Sequence, residues 1–185
     1  MPRRRAQKRS SPRPPAAGPG SGRITTWLTR PGSLTCENVV TSRISDVLQE
    51  PGALLWVDVL DPGPAELEAL REEFGFHRLA LEDVARQRQR PKVDEYPGYF
   101  FVVMYAPLGG PGEDLETVEV DVFVGKNYVV TAHRGPIPAL RDAVARWEKT
   151  DPDLRTQVGF LLHTIADTVI DAYFPIVDTL EDRLD

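Results

Sequence analysis

At 185 residues, 41% of them hydrophobic, the chain is long enough for one domain with a real core, or one domain plus tails. Its net charge of −6 hides a split: residues 1–30 carry eight Arg or Lys and no acid, which leaves 14 bases against all 28 acids, or −14, in the remainder. An acidic body of that kind repels nucleic acid phosphates and attracts cations. A single cysteine, Cys36, excludes a disulfide framework and fits a reducing compartment.

Residues 1–22 are Arg, Pro, Ser, Ala and Gly with almost nothing apolar to bury. Such a segment cannot offset its ordering entropy, and a disordered tail is expected. A solvated tail is preferred over a tether to anionic lipid. No apolar run follows the Met1–Arg5 start, so no signal peptide is expected, and no stretch approaches the roughly 18 apolar residues of a membrane span.

Residues 23–152 read as an α/β domain. Ile24 to Thr29 is the first expected strand, and Cys36 to Val40 part of a second. Ser42 to Gln49 has helical spacing, with Ile44, Val47 and Leu48. LLWVDVL, from Leu54 to Leu60, is a strong strand of large and β-branched residues. Asp61-Pro62-Gly63-Pro64 punctuates the chain. A helix follows from Pro64 to Phe74, with Asp61 or Gly63 as its cap and Gly75 as its terminator. Leu67 and Leu70 face inward.

From Phe76 to Tyr105 comes a short helix with Leu79, Leu81 and Val84 on its apolar side and two adjacent carboxylates, Glu82 and Asp83. A basic run, Arg86, Arg88, Arg90 and Lys92, leads into a hairpin whose second strand, Tyr99 to Tyr105, is apolar enough to be buried on both faces. Four bases interleaved with Gln in an acidic domain are a weak nucleic-acid signal, so no nucleic-acid partner is expected and the run is assigned to the acidic helices. Thr117 to Val124 alternates, with Val118, Val120 and Val122 opposite Glu119, Asp121 and Phe123. A turn at Gly125-Lys126-Asn127 returns the chain as Tyr128 to Ala132. An amphipathic helix, Ile137 to Lys149, carries Leu140, Val144 and Trp147. The order predicts a mixed β-sheet sandwiched between helices.

Residues 153–185 are expected to be a long C-terminal helix. Val158, Leu162, Ile165, Val169, Tyr173, Ile176, Leu180 and Leu184 form one apolar seam, and Pro175 should kink or divide it. Opposite the seam, Asp167, Asp171, Asp178, Asp182 and Asp185 fall within roughly 60° of arc at about 100° per residue. This is either a solvated acidic face or a surface that recruits hard divalent cations, which take oxygen ligands.

No phosphate-binding loop, dinucleotide fingerprint, zinc-protease motif or nucleophile elbow is present, and nothing supports an enzyme. His77, His133 and His163 lack zinc-site spacing and read as structural. Glu82 and Asp83 diverge by about 100° and cannot work as a glycosidase-type pair.

Several motifs together resemble the cytoplasmic domain of the CorA family of magnesium and cobalt transporters. They are H-x-L-x-L-E-D from His77 to Asp83, Q-R-P-K-V from Gln89 to Val93, the V-D-V-F-V-G-K-N-Y-V-V-T of the second hairpin, and the run from Ile165 to Phe174 that is similar to the family's helix leading into a stalk. The resemblance covers about residues 54–185. It implies a soluble fragment cut before its membrane helices, at the cytoplasmic face of the membrane. It also implies a homopentameric assembly and weak regulatory Mg²⁺ held between subunits to keep the pore shut. On that resemblance the metal-binding carboxylates are Asp83, with Glu82 and Asp167 secondary, and Asp171 beside them on the acidic stripe. Arg88 stands where some members carry a histidine, which disfavours a second site there. A ZntB-like zinc transporter domain and a soluble protein-binding adaptor that keeps the fold are the alternatives.

Overall fold

The computed structural model describes residues 22–33, 36–110 and 115–182. The tail assigned to residues 1–22 lies almost wholly outside them, as do Leu184 and Asp185. Six strands form one sheet in the order β1-β2-β6-β5-β4-β3. They are β1 (Arg23–Thr29), β2 (Leu54–Leu60), β3 (Lys92–Tyr96), β4 (Tyr99–Leu108), β5 (Glu116–Gly125) and β6 (Tyr128–His133). Every neighbouring pair is antiparallel except β2 and β6, which run parallel from Leu55 opposite Tyr128 to Leu60 opposite His133. The expected strand at Cys36 to Val40 is instead a single bridge, Leu28 to Glu37. The Thr26 hydroxyl takes up the Val39 backbone, donating to its carbonyl at 2.7 Å and accepting from its N–H at 2.6 Å. A side chain thus does there what a ladder would have done.

Helices cover both faces. On one lie α1 (Ile44–Leu48), α2 (Pro64–Phe74) and α3 (Arg78–Arg86); on the other α4 (Pro138–Glu148) and α6 (Val158–Asp171). The short α5 (Pro152–Arg155) links the last two, and α7 (Phe174–Glu181) follows. The strand period of two sorts the sheet between two cores. Leu55, Val57, Phe123, Val130 and Ala132 join Ile44, Leu70, Ala80 and Val84, whereas Leu54, Trp56, Val120, Val122 and Val129 join Leu140, Trp147, Leu161 and Ile165.

Local chemistry sets the helix ends. Gly63 begins α2, where the Glu66 carboxylate accepts its N–H at 2.9 Å, and Gly75 closes it at φ 68°. The His77 ring caps α3 by accepting the Leu79 N–H at 3.2 Å. Ala80, Leu81 and Val84 turn inward there, so Leu79, expected to be apolar-side, is exposed. In β4 Phe101 and Val103 are buried on one face, whereas on the other Ala106 is buried, Val102 and Met104 are partly so and Phe100 is half exposed, so the apolar run from Tyr99 to Tyr105 is not buried throughout on both faces.

The C-terminal helix breaks after Asp171, and Pro175 sits in the first turn of α7. Its seam runs through Leu161, Thr164, Ile165, Val169 and Ile176; Leu162 is only partly buried and Leu180 is exposed. Contrary to the expectation from sequence, Val158–Glu181 is long and apolar enough, by length and composition, to cross a membrane. In this fold Leu161, Ile165 and Val169 pack against the sheet and α4.

Candidate metal centre

The four carboxylates singled out in the sequence form two pairs on opposite faces of the sheet. Glu82 and Asp83 lie on α3; Asp167 and Asp171 lie on α6. Glu82 is partly exposed and lies between Arg78 at 2.9 Å and Arg86 at 3.4 Å, each four residues away along the helix. Asp167 and Asp171 have no base nearby on their own helix. Arg146 of α4 supplies one from the side, its Nη1 2.7 Å from Asp167 and 3.6 Å from Asp171. Asp178 and Asp182 are exposed.

Asp83 has the most built surroundings. It sits in the last turns of α3, above the β3 edge of the sheet. Its Oδ2 lies 2.8 Å from the Lys92 Nζ, and the same ammonium lies 2.8 Å from Asp94 Oδ2 and over the Phe101 ring. Lys92 is raised above the usual lysine range by its hydrogen bonds to Asp83 and Asp94. The basic run therefore partners the acidic helix through Lys92 and Arg86.

Beneath this pair lies a feature the sequence did not reveal. Val103 links Lys92 of β3 to Asp121 of β5 in register, all on the α3 side. Asp121 is wholly buried and Glu119 nearly so. Glu119 Oε2 accepts from the Gln89 N–H at 2.8 Å and faces the Tyr105 hydroxyl at 3.0 Å. Glu119 Oε1 and both Asp121 oxygens meet no N–H or O–H donor among the described residues, although the two carboxyl groups lie close enough to share a proton. Burial first, then the Glu119 and Asp83 charges, push Asp121 up to about 8, against the partial pull of Lys92. Polar alternation usually marks a solvent face, so no sequence signal separates this buried acidic row from an exposed one.

His133, read as structural, lies at the end of β6 on the other face. Its Nε2 lies 3.1 Å from Asp58 Oδ1 and its Nδ1 2.7 Å from the Gly135 carbonyl. Both partners offer acceptor oxygens, an arrangement that favours the doubly protonated ring. Burial pulls the ring's pKa down, but the Asp58 carboxylate and the Gly135 carbonyl outweigh it and the net shift is upward. Thr131 donates to the same Asp58 oxygen and accepts from the Trp56 indole at 3.1 Å.

Can these residues hold a metal? Among the described residues no group of three or more His, Cys, Asp or Glu is arranged to bind one alone. Asp83 and Asp94 offer two carboxylates around one positive charge. Mg²⁺ is commonly held by one or two carboxylates plus retained water, so the donor set suits a shared, hydrated ion rather than a closed cage.

Residues 51–185 match the family described as CorA-like Mg²⁺ transporter protein. The chain is 40% identical over 141 residues to the putative metal ion transporter YfjQ of Bacillus subtilis, a match covering 76% of this chain and 43% of that protein. The chain thus spans less than half the length of that relative. Its fold is similar to the soluble domain of CorA from Methanocaldococcus jannaschii, with a TM-score of 0.67 at 24% identity, covering 88% of this chain and 61% of that one. The cytoplasmic domain of ZntB from Vibrio parahaemolyticus matches with a TM-score of 0.62 at 14% identity, over 85% and 62% of the two chains.

Proposed function

The chain belongs to the CorA-like Mg²⁺ transporter family, and from that premise we propose that it is the cytoplasmic, cation-sensing domain of a divalent metal transporter. The fold is that of the family's soluble domain. The observation that carries the sensing role is Lys92. Its ammonium stands 2.8 Å from both Asp83 and Asp94, at a place where the fold already stabilises positive charge. A divalent cation arriving there displaces one ammonium and gains two carboxylates. Lys92, once released, stands beside Asp121, whose raised pKa its charge would lower.

Such a site is incomplete in one protomer, which favours completion by a second copy. The outer side of the C-terminal helices supports that reading. Ile170, Phe174 and Val177, at spacings of four and three, expose 57%, 58% and 45% of their surface. An exposed apolar stripe of this kind marks a contact surface. In the intact transporter we place five copies around a pore, with Mg²⁺ between them holding it shut. Asp167 and Asp171, clamped by Arg146, take a secondary part.

The test is a melting series in MgCl₂ up to about 20 mM at fixed ionic strength, where tenfold excess over Kd adds about 1.4 kcal/mol. Stabilisation that shrinks in Asp83→Ala and grows in Lys92→Gln supports the site; equal stabilisation in all three proteins removes it. The likeness to the ZntB domain favours one second reading, a zinc-handling relative, and a parallel ZnCl₂ series that outperforms Mg²⁺ would select it.

A further inference from the structure

We propose that the crevice between β2, β6 and α4 is a binding site for a nucleoside monophosphate, a flat ring bearing a dianionic group. It is separate from the Asp83 region and rests on none of the reasoning above.

The topology points there first. β2 and β6 are adjacent and parallel, yet the chain leaves β2 for α2 on one face and leaves β6 for α4 on the other. In open α/β sheets ligands bind outside the carboxyl ends of strands where the connections diverge in this way. A pocket of about 410 Å³ opens at that point, lined among others by Trp27, Trp56, Asp58, His133, Arg23 and Arg141. This is within the usual range for small-molecule sites, about 300–1,000 Å³.

The lining supplies three kinds of contact. Arg23, at the start of β1, and Arg141, in the first turn of α4, are exposed at the rim, and neither makes an ion pair or side-chain hydrogen bond among the described residues. Most other arginines near carboxylates here are paired, Arg30, Arg71, Arg78 and Arg146 among them. Two free guanidinium groups suit a phosphate, which they can grip bidentately. Trp27, half buried and tilted at 42° against Trp56, presents an indole for stacking. Deeper in, Asp58 is held by His133 and Thr131 through Oδ1, while Oδ2 has only a long 3.3 Å contact to the His133 ring. It retains acceptor capacity toward the pocket for an N–H donor such as a base amine. The Asp58 node is rigid, because each of its partners is itself bonded elsewhere. The nearby turn is likewise fixed: Asp61, at φ 52°, accepts the Gly135 N–H at 2.9 Å.

The experiment is a titration of the full 185-residue chain with AMP in Mg²⁺-free buffer, read by tryptophan fluorescence and calorimetry. Adenosine and inorganic phosphate are run as separate arms. We expect saturable binding of AMP below about 1 mM, and weaker binding of either half alone. The rim variant R23E/R141E should lose at least about tenfold in affinity with its melting temperature little changed, since both positions are on the surface. Asp83→Ala should bind AMP like the wild type. No saturable AMP binding, or binding untouched by R23E/R141E, overturns the proposal. Phosphate binding as tightly as AMP does too, since it reduces the site to an anion-binding rim.

Discussion

Two aspartates on opposite faces of one sheet, Asp58 partly buried and Asp121 wholly so, meet the loss of water in opposite ways. Asp58, facing α4, is bonded to Thr131 and to His133. Asp121, facing α3, finds no N–H or O–H donor from another element; Glu119, close enough to share a proton with it, adds negative charge nearby together with Asp83. A carboxyl group taken out of water must find donors and a counter-charge, or keep its proton. The first is a hydrogen-bonded node that holds His133 toward its charged form; the second is a carboxyl group pushed toward its neutral form. The difference lies in the neighbours each register supplies: Asp58 is opposite Thr131 in β6, while Asp121 is flanked by Val103 and Ala132.

Breaking the partnered node should have the largest effect. His133→Ala leaves Asp58 with Thr131 alone and opens a cavity at a buried position, and we expect a loss of about 3 kcal/mol in urea unfolding with an unchanged m-value. A loss under about 1 kcal/mol would mean that the pair contributes little and the contrast with Asp121 is only geometric.

The second effect is smaller and depends on pH. The folded pKa of Asp121 is raised from 3.8 to about 8, so the folded state holds a proton that the unfolded chain has released. Stability from this source is full below about pH 4 and drains away as pH rises to about 8. His133 acts in the same sense: its folded pKa is raised, so its contribution is present below about 6.5 and is lost as pH climbs past the folded value. The domain should therefore be most stable in mild acid. Asp121→Asn should flatten the slope and gain at least about 1 kcal/mol at pH 8.5 over the wild type, with little change at pH 5. Parallel pH profiles of the two proteins would show that Asp121 carries no trapped proton.

The smallest effect belongs to Glu82, the neighbour of Asp83 on α3. Glu82→Gln breaks two surface pairs, and a change within about 0.5 kcal/mol is expected in the same unfolding assay. A larger loss would show that this face is coupled to the buried row beneath it.

The sheet was legible in the sequence because its strands are apolar and alternate cleanly. Leu54–Leu60 and Pro64–Phe74 have the bounds read from their residues, since β-branched runs, Pro64 and Gly75 punctuate them sharply. The phase of α3 was not, because Ala80 outcompetes Leu79 for the inward position and a small residue gives no signal of its burial. At the candidate site, Asp83 and Glu82 were visible as a pair. Their separation from Asp167 and Asp171 by the thickness of the sheet was not, for it depends on which face each helix takes. The partners Lys92, Asp94 and Arg146 come from other elements, beyond the reach of local spacing.

The lone parallel seam between β2 and β6 also bears on how the domain assembles. β3 through β6 form a meander whose hairpins close over short loops, and β1 and β2 pair with each other. In the sheet the seam joins these halves, with Asp58 bonding Thr131 across 73 residues of chain. Loop-closure entropy makes such distant pairing the slow event of a folding reaction. The seam is thus the rate-setting joint: side chains such as Trp56 and Val130 should govern the speed of refolding, while the outer hairpin residues govern how fast the finished sheet comes apart.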